Sequence, residues 1–133
     1  MSPDTSGARP RILVVDDEEA VRSLLTDFLG VLGYEVTCAT NGLEALEAVR
    51  STQPRVVLLD IRMPGPLTCD EILAAIVAGG VPVIVVSGSI DEAMQAHLRE
   101  AGAFDLLAKP FTLPRLRQAV AAAEEASRRD RST

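Results

Sequence analysis

Aromatic residues are scarce in this chain of 133 residues, which has no tryptophan, one tyrosine and three phenylalanines. Its core must therefore be aliphatic, and the 47% of hydrophobic residues are enough to form one. Cysteine is also rare: Cys38 and Cys69 lie in different predicted elements and lack the spacing of metal ligands. We therefore expect reduced thiols in a cytoplasmic protein rather than a disulfide scaffold.

Long apolar runs and an excess of positive charge are missing as well. No segment reaches the roughly 18 apolar residues of a membrane span, and the N-terminus lacks the apolar region of a signal peptide. The net charge of −6 argues against broad binding to nucleic acid. The length fits one domain, which we expect over residues 11–127, between a mobile arm at 1–10 and a polar tail at 128–133.

Strand-like and helix-like patterns alternate five times along the chain. Apolar runs such as Ile12–Val15 and Val56–Leu59 are typical of buried parallel strands, and residues 21–32 carry apolar side chains at helical spacing. This alternation predicts an α/β fold, flavodoxin-like and doubly wound, with five βα units and a parallel five-stranded sheet of order 2-1-3-4-5. The last helix is predicted over Leu113–Ala126.

Polar side chains stand at the ends of four predicted strands. Asp16 and Asp17 follow strand one, Asp60 ends strand three, Ser87 ends strand four and Lys109 follows strand five. Ligand sites of open α/β sheets lie at the carboxyl ends of the strands, where the strand order reverses. Since these four strands are neighbours in the predicted order, we expect the five residues to converge on one edge.

The three carboxylates predict a cation site. Neighbouring carboxylates repel each other, and Mg²⁺ relieves this repulsion through oxygen ligands while leaving room for waters and a phosphate group. A hydroxyl and an ammonium group beside them suit phosphoryl transfer, in which catalysis consists mostly of positioning and charge neutralisation. Asp60 is the natural acceptor, because carboxylates form acyl-phosphate intermediates.

The chain resembles the receiver domain of bacterial two-component response regulators, from about Arg11 to Ala126. The motifs that carry the resemblance are Val14-Val15-Asp16-Asp17-Glu18, Asn41-Gly42-Leu43-Glu44-Ala45-Leu46, Leu59-Asp60-Ile61-Arg62-Met63-Pro64, Val86-Ser87-Gly88, Gly102-Ala103-Phe104-Asp105 and Lys109-Pro110-Phe111.

This resemblance implies a role for each matching residue of the phosphoryl site. Asp60 is the expected phosphoacceptor, supplied by a phosphohistidine on a sensor histidine kinase or a phosphotransfer protein. Ser87 is expected to donate a hydrogen bond to one phosphoryl oxygen, and Lys109 to pair with another. The peptide bond between Lys109 and Pro110 is expected to be cis.

The resemblance also implies a metal shell and two residues that tune the lifetime of the phosphate. Asp17 and Asp60 are expected to bind Mg²⁺ directly, Asp16 through a water, and Arg62 through its backbone carbonyl. Arg62 and Ser89 each lie two positions after a site residue, where the family tunes dephosphorylation. We expect the Arg62 side chain to fold over the phosphoryl group and shield it from water.

Leu106 departs from the family pattern, because an aromatic residue usually stands at its position. In the family that aromatic side chain moves inward when the strand-four hydroxyl, here Ser87, is drawn towards the phosphate. Leu106 cannot report phosphorylation in the same way, so either the output face works differently or the switch is weak. The loop Met63–Cys69 also looks one residue longer than usual, with Thr68-Cys69 in place of Asp-Gly.

The leading interpretation is a stand-alone receiver that is not an enzyme and signals through its contacts with a downstream protein. Binding to nucleic acid or membrane is not expected, and the fourth helix, fifth strand and fifth helix form a candidate homodimer face. The alternative is a pseudo-receiver, an interaction module with weak or no phosphorylation-dependent switching. A haloacid-dehalogenase-like phosphatase is disfavoured, because Arg62 stands where that class has its second aspartate.

Overall fold

A computed structural model describes residues 9–62, 65–88 and 90–131, without the side chains of residues 130 and 131. Five strands and five helices alternate in this part of the chain. The strands are β1 (Arg11–Val15), β2 (Glu35–Ala39), β3 (Val56–Asp60), β4 (Val83–Ser87) and β5 (Asp105–Ala108). The helices are α1 (Glu19–Val31), α2 (Gly42–Thr52), α3 (Cys69–Ala78), α4 (Glu92–Glu100) and α5 (Leu113–Arg131).

The strands form one parallel sheet in the order β2-β1-β3-β4-β5, which confirms the predicted topology. Val15 at the end of β1 lies beside Leu59 of β3, and Ser87 at the end of β4 lies beside Ala108 of β5. The carboxyl ends of four neighbouring strands therefore meet at one edge. We call this edge, formed by the ends of β1, β3, β4 and β5, the carboxyl edge.

Two aliphatic cores cover the two faces of the sheet, because successive side chains of each strand point to opposite faces. Helices α1 and α5 pack on one face, where the largest fully buried side chains are Ile12, Leu25, Leu29, Leu58, Ile84 and Leu107. Helices α2, α3 and α4 cover the other face, where they are Leu13, Leu59, Ile72, Leu73, Ile76 and Leu98. Burial of each such side chain stabilises the fold by roughly 1.5–3 kcal/mol before the entropic cost of ordering.

The last helix ends later than predicted. It continues past Ala126 to Arg131, since Ser127 is buried and Glu124 pairs with Arg128 on the next turn. Glu124 also accepts a 3.0 Å hydrogen bond from Arg55, which ties this end of α5 to the start of β3. Residues 128–131 thus continue the helix instead of forming a separate tail, whereas most of the predicted arm lies outside the described residues.

Side-chain caps fix where four helices begin. Asn41, Thr68, Asp91 and Thr112 each accept a hydrogen bond from a backbone N–H of the first turn, of α2, α3, α4 and α5 respectively. Thr68 also forms a capping box with Glu71, so the unusual end of the loop before α3 serves as a helix start. None of the helices in the described ranges combines the length and apolar character that a membrane span needs.

Candidate functional site

Backbone hydrogen bonds extend the sheet past the ends of its strands and hold the site residues in register. The N–H of Asp16 donates to the carbonyl of Ala39 at 3.1 Å, and the N–H of Lys109 donates to the carbonyl of Ser87 at 2.7 Å. Asp60 is itself the last residue of β3, beside Val86 of β4. The functional side chains therefore leave the carboxyl edge from a rigid backbone.

Lys109 is the cation of this site. Its Nζ lies 3.3 Å from Oδ2 of Asp16 and 3.5 Å from Oδ2 of Asp60. Both aspartates are buried, with 3% and 7% of their surfaces exposed. Burying a carboxylate costs free energy unless it is paired with a cation. The ammonium group of Lys109 therefore compensates part of the negative charge that Asp16 and Asp60 place at the end of the core.

Each buried carboxylate divides its two oxygens between the backbone and Lys109. Oδ1 of Asp16 accepts a 2.9 Å hydrogen bond from the N–H of Glu18, and Oδ1 of Asp60 accepts a 3.0 Å hydrogen bond from the N–H of Arg62. The Oδ2 atoms face the ammonium group. Both carboxylates are thereby fixed in orientation.

Burial of Asp60, together with the neighbouring charge of Asp16, raises the pKa of the Asp60 carboxyl, although the N–H of Arg62 and the ammonium of Lys109 act in the opposite direction. Burial alone would lower the pKa of Lys109, but the carboxylates of Asp60 and Asp16 outweigh it and raise that pKa. The lysine is therefore held as a cation, while the negative charge on Asp60 is only partly compensated by the chain.

Asp16, Asp17 and Asp60 form a group of carboxylates that suits a metal ion. One oxygen from each lies within 4.8 Å of the others, and Asp17 is exposed while its two partners are buried. Oxygen-only donors of this charge fit Mg²⁺, which binds few protein carboxylates and keeps several waters. The arrangement brings together the three aspartates among the four residues that the sequence predicted as metal ligands.

A polar cleft of about 480 Å³ opens above these residues. The residues that line it are Asp17, Glu18, Asp60, Arg62, Gly88 and Lys109. This volume has room for a phosphoryl group and several waters. Arg62 lines the cleft, where its side chain would have to lie in order to shield a phosphoryl group on Asp60. We call this space the acidic cleft.

Glu18 is a residue of the acidic cleft that received no role from the sequence. Its Oε1 lies 4.0 Å from Nζ of Lys109. In the sequence Glu18 looks like the start of a helix, and its proximity to a lysine 91 positions away depends on the fold. The available signal was the run of four acidic residues, Asp16-Asp17-Glu18-Glu19, directly after a core strand.

The remaining predicted residues lie in different settings. Ser87 is buried at the end of β4. Leu106 is buried in β5, where it packs in the core under α3 and α4, and Ser89 lies outside the described residues. The peptide bond between Lys109 and Pro110 is cis, as the resemblance implied.

Comparisons with known proteins agree with this geometry. The family described as "Response regulator receiver domain" matches residues 12–121. The transcriptional regulatory protein PrrA of Mycobacterium leprae is 41% identical over 117 residues, which are 85% of this chain and 49% of that protein. Sporulation initiation phosphotransferase F of Bacillus subtilis is 36% identical over 112 residues, covering 83% of this chain and 90% of that protein.

A solved structure extends the comparison to the backbone. The receiver domain protein (CheY-like) from Methanospirillum hungatei is 25% identical, covers 92% of this chain and 98% of its own, and superposes with a TM-score of 0.83. The chain spans about half the length of the first curated relatives that it matches. It belongs to the response regulator receiver domain family of two-component systems, whose members interact with histidine kinases or phosphotransfer proteins.

Proposed function

We propose that this chain accepts a phosphoryl group on Asp60 from a histidine kinase or a phosphotransfer protein and passes the signal on through a protein contact. One observation carries the proposal: the ammonium of Lys109 lies within 3.5 Å of both buried carboxylates, at the floor of an open polar cleft. A purely structural ion pair would not need an open cleft beside it. Here the cleft is large enough for a further anion, which favours a binding site over a structural role.

The geometry supports a direct displacement at phosphorus. Oδ2 of Asp60 attacks, an O–P bond forms, and the P–N bond to the donor histidine breaks with its electron pair left on the imidazole. The hydrogen bond from the N–H of Arg62 to Oδ1 stops the carboxylate from rotating during the attack. Lys109 then pairs with a phosphoryl oxygen, and Ser87 is the proposed donor to another.

Mg²⁺ is the proposed cofactor, held by Asp16, Asp17 and Asp60 with the backbone carbonyl of Arg62. Bound there, the ion neutralises the charge shared by the aspartates and the incoming phosphoryl group. Asp60 can then remain ionised at neutral pH despite its burial, so that it stays available as a nucleophile.

The test is phosphorylation with acetyl phosphate and Mg²⁺, read by intact-mass spectrometry. We expect the mass gain of one phosphoryl group, which is lost in Asp60→Asn and in the presence of EDTA. Asp27→Asn is the matched control, because Asp27 is an aspartate of α1 that does not line the acidic cleft, and it should be phosphorylated like the wild type. Absence of the adduct from the wild-type protein would overturn the proposal.

The alternative function is a pseudo-receiver, and Leu106 is the observation that favours it. A buried aliphatic side chain in β5 lacks the ring that reports phosphorylation in the family. Amide NMR spectra with and without beryllofluoride and Mg²⁺ separate the two functions. We expect shift changes in α4, β5 and α5 as well as at the carboxyl edge, whereas changes confined to the carboxyl edge would favour the pseudo-receiver.

We also propose that Arg62 lengthens the life of the phosphate by covering it, and that Ser89 contributes to the same property. Arg62 lines the acidic cleft and its backbone is anchored on Asp60, so its guanidinium has a short reach to a phosphoryl group on that residue. Arg62→Ala should dephosphorylate about two to ten times faster, the size expected for one net hydrogen bond of about 0.5–1.5 kcal/mol from an exposed side chain. Arg50→Ala, on the exposed side of α2, is the control, and an unchanged lifetime in Arg62→Ala would contradict the role.

The wider setting is proposed from the relatives. Relatives of both sizes match this chain: it covers 90% of sporulation initiation phosphotransferase F and 49% of PrrA. We favour the stand-alone form, which is cytoplasmic, reacts only at its own Asp60 and has no contact with nucleic acid or membrane.

We also propose that α4, β5 and α5 form the face of a homodimer. Size-exclusion chromatography with and without beryllofluoride tests this dimer.

A further inference from the structure

Glu18 has a rigid backbone and a side chain that takes no part in capping α1. Its N–H donates to Asp16 and its carbonyl accepts from the N–H of Arg22 at 3.1 Å, so the Cα is fixed at the helix start. The side chains of Asn41, Thr68 and Asp91 cap their helices, but that of Glu18 forms no such hydrogen bond. Helix capping therefore does not explain the position of this carboxylate.

The carboxylate of Glu18 instead reaches the acidic cleft. It is two-thirds exposed, lines the cleft wall and lies 4.0 Å from the ammonium of Lys109. Lys109 already faces Asp16 and Asp60 at shorter distances, so Glu18 adds a third negative charge on the solvent side of the lysine. A phosphoryl donor that enters the acidic cleft therefore meets this charge beside Lys109.

We propose that Glu18 is a positioning and selectivity residue that competes with the incoming phosphoryl group for Lys109 and disfavours small dianionic donors. The inference rests on the proposed function, because it concerns the same transfer to Asp60. A kinase brings its phosphoryl group on a docked protein, whose contact area offsets one unfavourable charge. A free dianion has no such compensation, so Glu18 reduces phosphorylation by metabolites relative to phosphorylation by a partner protein.

The reaction can be followed with two small donors of different charge. With acetyl phosphate, the Asp60 oxygen forms a bond to phosphorus and the bond from phosphorus to the acetate oxygen breaks, so that acetate leaves with the electron pair. With phosphoramidate, the P–N bond breaks and ammonia leaves, since its nitrogen is already protonated. Acetyl phosphate is a dianion at neutral pH and phosphoramidate is a monoanion, so Glu18 should act more strongly on the former.

The experiment compares both donors on the wild type and Glu18→Gln in Mg²⁺, with the rate of adduct formation read by intact mass. Glu18→Gln should react about two to five times faster than the wild type with acetyl phosphate, which is the range for one partly exposed charge pair. With phosphoramidate, the increase in rate should be less than half as large. Added salt should shrink the gain, because the charges are accessible to screening ions. Equal gains for the two donors, or no gain, would overturn the proposal.

Two further variants keep the result specific to the position of the charge. Glu19→Gln removes the same charge from the next residue, which does not line the acidic cleft, and should leave both rates unchanged. Glu18→Asp retains the charge and should stay as slow as the wild type with acetyl phosphate. An equal rate increase in Glu19→Gln would also overturn the proposal. If the wild-type protein forms no phosphoryl adduct at all, the proposed function of the site is contradicted, and not only the role of Glu18.

Discussion

Asp60 combines two opposed properties in a single side chain. Attack on phosphorus requires the ionised carboxylate, but burial and the nearby charge of Asp16 raise its pKa and favour the neutral form. Lys109 compensates only one of the two buried negative charges beside it. The metal-free protein therefore carries an electrostatic cost at the carboxyl edge, which is typical of a functional site and is consistent with the proposed reaction.

This cost predicts that Asp60→Asn stabilises the metal-free protein. Asparagine keeps an oxygen that accepts from the N–H of Arg62 and removes the charge that repels Asp16. In urea titrations at pH 7 with EDTA, we expect the free energy of unfolding to rise by about 1 kcal/mol. Asp17→Asn, at the exposed member of the group, should give a smaller gain.

Added Mg²⁺ should reverse the order of stability. An ion that binds only the folded state stabilises it by an amount that grows with the logarithm of its affinity, and Asp60→Asn removes one of the three carboxylates of the proposed metal site. A variant that is less stable than the wild type in EDTA, or that gains as much from Mg²⁺, would contradict this account of Asp60.

Strand β5 and helix α5 are joined by a bidentate ion pair. Nη1 and Nη2 of Arg115 each donate to one oxygen of Asp105 at 3.1 Å, and Nη2 also donates to the carbonyl of Leu106 at 3.3 Å. Burial would raise the pKa of Asp105, but the hydrogen bonds from Arg115 and from the N–H of Leu106 outweigh it and lower that pKa. Arg115, which looks in the sequence like part of a solvated helix face, thus anchors the edge strand.

The lowered pKa of Asp105 predicts a pH-dependent contribution to stability. A depressed folded-state pKa stabilises the protein above the ordinary value of 3.8, and the effect is lost as the pH falls from there through the folded-state pKa. Asp105→Asn should therefore cost about 0.5–1 kcal/mol at pH 7, a range reduced for the 40% exposure of Arg115, and less at an acid pH of about 3. Urea titrations at both pH values measure the difference.

Glu47→Gln provides the control for this pair. Glu47 and Arg50 also form an ion pair, but both side chains are more than two-thirds exposed, so the change should be close to zero at either pH. An Asp105→Asn deficit that persists unchanged in acid would show that packing, not charge, connects β5 to α5.

The order of the elements was predictable because their apolar periodicities differ, whereas several ends were not. Gly30 and Gly33 both look like the end of the first helix, and the structure uses the second: α1 continues through Gly30 to Val31, and the chain turns at Gly33 with a φ of 100°. The convergence of Asp16, Asp60 and Lys109 followed from the strand order alone. The contacts of Glu18 and Arg115 depend on how far long side chains reach between distant elements, which periodicity does not encode.

At the scale of the whole molecule, the helices are held unequally. Helix α4 buries a single side chain, Leu98, and every other residue from Glu92 to Glu100 is exposed. Helix α3 on the same face buries Ile72, Leu73 and Ile76. Apolar burial is the main source of helix stability in proteins, so α4 is the part of this face with the least to lose by opening.

A polar contact supplements the apolar anchor of α4. Nε2 of His97 lies 2.8 Å from Oδ2 of Asp70 on α3, but both side chains are more than half exposed. An exposed pair of this kind contributes only a few tenths of a kcal/mol. Leu98 therefore carries most of the attachment of α4, and it belongs to the same core cluster as the buried Leu106.

Native-state hydrogen exchange read by mass spectrometry should show α4 opening well before the molecule unfolds. We expect the amides of Glu92–Glu100 to exchange with an opening free energy at least about 2 kcal/mol below that of Val83–Ser87 in β4, because a helix with one anchor opens without disrupting the sheet. Leu98→Ala should widen this gap, since it removes the anchor, whereas His97→Ala should change it little. Equal protection of α4 and β4 would contradict this view. The same measurement also tests whether phosphorylation of Asp60 acts through α4. If it does, beryllofluoride with Mg²⁺ should change the hydrogen exchange of α4 more than that of α3.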